Sequence, residues 1–196
     1  DAVDSEEEEV FLTSQLVDQA RGVVFAGRIT TELGGDPAPN SKLEELFDLV
    51  EERADEVRVQ REQNAALYEG MLLNNVIYEG VIVVSFLRHL DGYLDTAQIL
   101  PGLRAGLTAV ARDTTRHVLF GVRLLQEAVD RDQGSDAAAI ESVIEMALPV
   151  VNGVINEAAA LSADFSGLQF DDNGISEAAM ETLARRMHDI GIDLPT

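Results

Sequence analysis

DTTRHVLFGVR, residues 113 to 123, has the composition of half a metal site: His117 stands in it with Thr114 three residues earlier, where a ligating carboxylate would be wanted. On a helix, residues three apart share a face, so a carboxylate and an imidazole at that spacing can point at one ion. DQARGVVFAGR, residues 18 to 28, repeats the segment, matching at Asp18/Asp113, Arg21/Arg116, Val23/Val118, Phe25/Phe120 and Arg28/Arg123. The repeat keeps the bracing residues and changes the chemical ones, since Gln19 stands opposite Thr114 and Gly22 opposite His117. Asp18–Arg21 and Asp113–Arg116 fall at i and i+3, where each can form a salt bridge. A further isolated carboxyl, Glu79, lies in the apolar run NNVIYEGVIVVSFL. It reads either as a ligand or as a buried carboxyl hydrogen-bonded to His117 or Gln19.

The elements that must position these groups all read as helices. Apolar residues recur at three and four positions over 8–33, 42–60, 62–92, 102–131, 136–161 and 175–190, and the alternation of a strand is absent. Gly34 to Pro39 ends the first run with Ser41 as a plausible N-cap, Pro101-Gly102 opens the fourth, Asp132 to Ser135 closes it, and Phe165 to Gly174 reads as a loop. The acidic run Glu6 to Glu9 suits a solvated helix start, near the positive end of the dipole. Long helices with short loops predict an antiparallel bundle in one domain over 1–196, with loops near 34–41 and 165–174.

Charge limits the function. There are 36 acidic residues against 14 basic, and Lys42 is the single lysine. A net charge of −22 argues against a nucleic-acid partner, which requires a cationic face. A hydrophobic share of 46% in regular periods argues for a folded core over disorder. An acidic coat with arginine in place of lysine suits a high-salt cytoplasm, where low salt should unfold the chain as screening of its self-repulsion is lost. Cysteine is absent, which excludes disulfides and thiolate ligands. The acidic N-terminus does not read as a signal peptide, and the most apolar run, residues 81 to 87, is too short for a membrane span. The expectation is a cytoplasmic protein without a membrane partner.

These segments also resemble a known family. ILPGLRAGLTAVARDTTRHVLFGVRLL (99–125), NNVIYEGVIVVSFL (74–87) and SQLVDQARGVVFAGR (14–28) are similar to ligand helices of the small (beta) subunit of class I ribonucleotide reductase and of the related ligand-binding oxidases. The likeness spans about residues 8 to 131, and the late run ISEAAMETLARRMHDIGIDLP is also like that family. It implies a ferritin-like antiparallel four-helix bundle with extra C-terminal helices and a di-iron or di-manganese site. Of the six ligand positions it implies, Glu79 and His117 match. Gln19, Gly22 and Thr114 depart from the pattern, and the helix that would carry the sixth ligand is absent or truncated. Gln19 and Thr114 are neutral and Gly22 has no donor, so charge compensation for two divalent ions is missing. Asp18, Arg21, Asp113 and Arg116 would be the surviving groups that orient ligands and brace helices.

The expectation is therefore a bundle with a degenerate di-iron site and no resident cofactor, acting as a non-catalytic structural or regulatory partner. It would pair as a homodimer or with an intact paralogue. One alternative is an oxidoreductase of the same group with its di-iron or di-manganese site completed differently. The other is a small-ligand-binding bundle, in which Gly22 and Thr114 leave room. His89 and His188 are assigned surface or capping roles, and Tyr78, beside Glu79, is expected to point to another face. No phosphate-binding glycine loop and no nucleophile with an adjacent base is found.

Overall fold

In the computed structural model, residues 6–35, 40–59, 65–131, 135–163 and 172–192 are described. They form six helices and, among them, no strand: α1 (Glu6–Glu32), α2 (Ser41–Val59), α3 (Ala65–Ala97), α4 (Pro101–Arg131), α5 (Ser135–Ala163) and α6 (Asp172–Ile190). The chain is all-α, and the helices start and stop close to where the periodicity placed them. The expected break from Asp132 to Ser135 and the loop from Phe165 lie mostly outside the described residues, and Asp172 to Gly174 already belong to α6.

Local chemistry explains the boundaries. α1 ends where Gly34, at φ 70°, lets Gly35 donate back to the Thr30 carbonyl at 2.9 Å. The cap of α2 corrects the sequence reading. Asn40, one residue before Ser41, accepts a bond from the Leu43 N–H at 2.8 Å, while the Ser41 hydroxyl reaches across to Glu157. Pro101 opens α4, at the helical position where its missing N–H costs nothing. Between α3 and α4, Gln98 and Leu100 both take left-handed conformations, at φ 54° and 48°, without being glycine.

At the centre lies α3, and it is not uniform. Ala65–Met71 and Val84–Ala97 are α-helical, but Leu72–Val83 between them winds as a π-helix. The wider turn places Asn74, Glu79 and Val83 on the wall of one cavity. A reading based on 3.6 residues per turn cannot foresee that set. α4 packs directly on the π segment, and Gly121 makes this possible: a Cβ there would lie 2.7 Å from the Asn75 Cβ. On the other side α5 brings Ile140, Ile144, Ala147, Val151 and Val154, all buried, against α2 and α3, and α6 closes the core with Leu183, Met187 and Ile190. By contrast, among the described helices the close backbone contacts of α1 are with α4 alone, and Gln15 is its one buried residue.

Among the described residues, two helices are long and apolar enough to cross a membrane, Ala65–Ala97 and Ala137–Ala158. This corrects the reading that no stretch reaches that length, which considered only the uncharged run at 81 to 87. Isolated polar groups such as Asn75 and Glu79 do not lower the mean hydropathy of the longer stretch below that of a span. Of its most apolar window, 67% is buried within the protein, as suits the central helix of a bundle.

Candidate functional site

The repeat proves to be a contact. α1 and α4 lie side by side, and the two Asp–x–x–Arg copies face each other. Arg21 binds Asp18 on its own helix and Asp113 across the gap at 3.0 Å; Arg116 binds Asp113 at 2.9 Å and Asp18 at 2.6 Å. Each guanidinium thus bridges both carboxylates, and each carboxylate receives both arginines. The aspartate side chains are largely buried while the arginines cover them from outside. Asp18 continues the network inward, with Oδ2 at 3.3 Å from His117 Nε2.

His117 is buried and held at both ring nitrogens, since Nδ1 lies 2.9 Å from Glu79 Oε2. Glu79 is buried in turn, and its other oxygen accepts a bond from Gln19 Nε2 at 2.7 Å. Burial alone would lower the His117 pKa, but the hydrogen bond and charge of Glu79, followed by those of Asp18, outweigh it and hold the imidazole above its usual range. Three carboxyls, Asp18, Glu79 and Asp113, thus share two guanidiniums and the imidazole of His117. Phe11 caps the imidazole edge-on at 6.4 Å and stacks on Phe120 at 4.3 Å.

One turn away is a second polar layer that the sequence reading missed. Gln15 and Asn75 are buried and exchange amide bonds at 3.3 and 3.2 Å, and Asn75 Nδ2 also donates to the His117 carbonyl at 2.9 Å. The paired asparagines inside an apolar run were the available signal, because buried amides require partners.

All five positions singled out as ligands or former ligands, Gln19, Gly22, Glu79, Thr114 and His117, line one cavity of about 1090 Å³ between α1, α3 and α4. Asp18, Arg21 and Asp113 line it too, and Arg116 sits at its edge through Asp18 and Asp113. A Cβ at Gly22 would meet nothing within 4 Å, so the site opposite His117 is open space. Away from the polar end the wall is apolar, with Phe25, Leu87, Leu94, Leu103 and Val110. Phe25 keeps its place because α4 carries Gly106, where any Cβ would fall 2.2 Å from the ring.

One expectation needs correction. Tyr78 does reach this cavity, packing edge-on against Phe47 at 4.9 Å, because the π winding turns it toward the wall. Burial, and then the charge of Glu79, push its pKa up. The sequence match of Val23 to Val118 does not extend to packing, since Val23 is 73% exposed while Val118 is fully buried.

The donor set does not fit the pair of divalent ions that the resemblance implies. Gln19 presents its amide nitrogen to Glu79, and both imidazole nitrogens of His117 are engaged by carboxyl groups. Among the described residues, no three His, Cys, Asp or Glu side chains gather as an ion would require. Protein-family models, curated proteins and solved structures were compared with the chain, and none matches.

Proposed function

We propose that this chain is a non-catalytic bundle of the ribonucleotide-reductase-small-subunit-like, ferritin-like kind, whose former metal position serves as the polar end of a pocket for a small apolar ligand. The observation that carries this reading is the cavity of about 1090 Å³, apolar along its length and polar at one end. A space of that size, walled by hydrophobic side chains with a few convergent polar groups, is what ligand pockets consist of. The polar end offers both kinds of hydrogen-bonding group. Glu79 and Asp18 accept, and His117, Gln19 and Arg21 donate, so a ligand's polar end group can replace the Gln19–Glu79 bond at the pocket's end. The apolar remainder of the ligand would run along Val110, Leu103 and Leu94.

The test is mass spectrometry of material extracted from the purified protein, followed by rebinding of what is found. A stoichiometric apolar compound supports the reading. Val110→Trp, which narrows the cavity where the apolar part of the ligand would lie, should weaken rebinding while the far-ultraviolet circular dichroism stays unchanged. About two iron or manganese ions per purified chain would overturn the reading in favour of an oxidoreductase. A structural or regulatory partner role is favoured by a separate observation, the exposed apolar side of α1, where Val10, Leu16, Val17, Val23 and Val24 are between 58% and 73% exposed.

A further inference from the structure

We propose that Arg88 of α3 and Arg185 and Arg186 of α6 form a binding site for a small phosphate-type oxyanion, where these two helices pack together. None of the three arginines lines the cavity, and the proposal does not depend on the ligand reading.

With 36 acidic residues for 14 basic ones, this chain can give nearly every arginine a carboxylate. Arg53 shows how a largely buried one is treated. Its side chain is 18% exposed, and Glu52, Glu56 and Glu69 reach it at 2.9 to 3.2 Å. Arg186 is as deeply placed, at 16% exposed, but its one carboxylate among the described residues is Asp189, at 3.5 Å. Arg88 and Arg185 are exposed and, among the described residues, have no ion pair at all. The positive charge left uncompensated in this acidic protein is therefore gathered at one place.

The fold holds it there. Arg186 falls on the face of α6 that carries Leu183 and Ile190, three and four residues away and both buried, so its stem is drawn into the core. Its Nε is buried with no hydrogen-bond partner, which costs stability until something pairs with the group. Arg53 Nε is unpaired too, but there three carboxylates offset the charge. Burial, and then the charge of Arg185, lower the Arg186 pKa, and Arg88 adds to this against the pull of Asp189. Two like charges thus bear on a third that is already desolvated, and an anion among them would relieve all three.

The chemistry of the guanidinium selects the anion. Its planar fork matches the paired oxygens of phosphate, and a tetrahedral anion can take such forks from several sides, whereas a monocarboxylate is filled by one. The rest of the chain selects its size. A compact dianion meets mainly the three arginines, but an anionic membrane or a nucleic acid would also lie over a surface whose net charge is −22.

Calorimetric titration of the full chain with inorganic phosphate, at fixed ionic strength in potassium chloride, tests the proposal. One saturable site per chain is expected. Arg88→Gln and Arg185→Gln, both at exposed positions where the fold should not suffer, should each weaken it at least about tenfold. Arg186→Met keeps the apolar stem and removes the buried charge, so it should melt no lower than the wild type in chloride alone and lose phosphate binding. Arg58→Gln, which changes the net charge equally on α2, should leave the affinity unchanged. Absence of saturable binding overturns the proposal, as does equal weakening by Arg58→Gln or binding that survives both Arg88→Gln and Arg185→Gln. Recruitment to phosphatidic acid vesicles without binding of free phosphate would overturn the small anion in favour of a lipid headgroup.

Discussion

In α4 the segment Asp113 to Arg123 sits inside the protein: His117, Val118 and Gly121 are buried, and the helix packs directly on the π segment of α3. Its counterpart in α1, Asp18 to Arg28, has the same Asp–x–x–Arg brace, yet Val23 and Val24 face outward and Gly22 borders open space. The brace is common because it is mutual, each arginine spanning both aspartates. What differs is the residue following it. His117 fills its side of the interface and ties Glu79 to Asp18, whereas Gly22 fills nothing, and the cavity occupies the difference. A repeated motif thus has one structural and one permissive copy, and the contrast can be broken in several ways.

The largest expected effect is that of salt. With a net charge of −22, removal of screening acts against the whole fold, and α1, which has a single buried residue and leans on ion pairs, two amide bonds and the Phe11 and Phe25 contacts, should open first. Hydrogen exchange on lowering potassium chloride should show α1 amides losing protection before those of α4. Simultaneous loss would mean that the two copies are equally embedded, and the contrast would fail.

Next in size is Glu79→Ala, which removes the acceptor shared by both copies. Gln19 from α1 and His117 from α4 would each lose a buried partner, at a cost of about 3–5 kcal/mol in chemical denaturation. Glu79→Gln, which retains an acceptor, should cost less. Equal losses would show that the charge, and not the hydrogen-bonded geometry, holds the inner network.

Glycine substitutions sharpen the contrast because their signs should be opposite. Gly121→Ala in α4 drives a Cβ to 2.7 Å from Asn75 and should destabilise by about 1–3 kcal/mol. Gly22→Ala in α1 meets no atom within 4 Å and should stabilise by about 0.5–1 kcal/mol through helix propensity alone. If Gly22→Ala also destabilises, the space opposite His117 is occupied in solution by something a methyl group displaces.

How much of this was legible beforehand depended on whether local periodicity governed the residue. Helix positions followed from apolar spacing, and the Gly34–Gly35 stop and the Pro101 start followed from backbone chemistry. The five candidate ligand positions were singled out by the family resemblance, with i, i+3 spacing placing only Gln19 with Gly22 and Thr114 with His117 on shared faces, and all five line one cavity. The position of Tyr78 and the Gln15–Asn75 pair were not legible. Both lie on the π-wound segment Leu72–Val83, where Asn75 also bonds to the His117 carbonyl of α4 far along the chain, and the winding leaves no local mark in the sequence beyond Asn74 and Asn75. The exposure of Val23 was hidden for a related reason, since identical residues in two matched helices gave no sign of which helix had neighbours on that side.

A final test separates the copies by titration, since α4 carries an imidazole where α1 carries glycine. Glu79 and Asp18 hold the His117 pKa above its usual value against the opposing effect of burial. The folded state therefore binds this proton more tightly than the unfolded chain, whose histidine titrates near about 6.5. The stabilisation is fully present below that value and is lost as pH rises through the folded-state pKa. Thermal stability should accordingly fall on going from mildly acidic to alkaline buffer, with a slope of at most about 1.4 kcal/mol per pH unit for one proton. His117→Gln, which keeps a hydrogen-bonding group between Glu79 and Asp18 but cannot titrate, should flatten that part of the profile. A profile that His117→Gln leaves unchanged would place the pH response elsewhere. The buried copy of the motif would then lose the one chemical property that distinguishes it from the open copy.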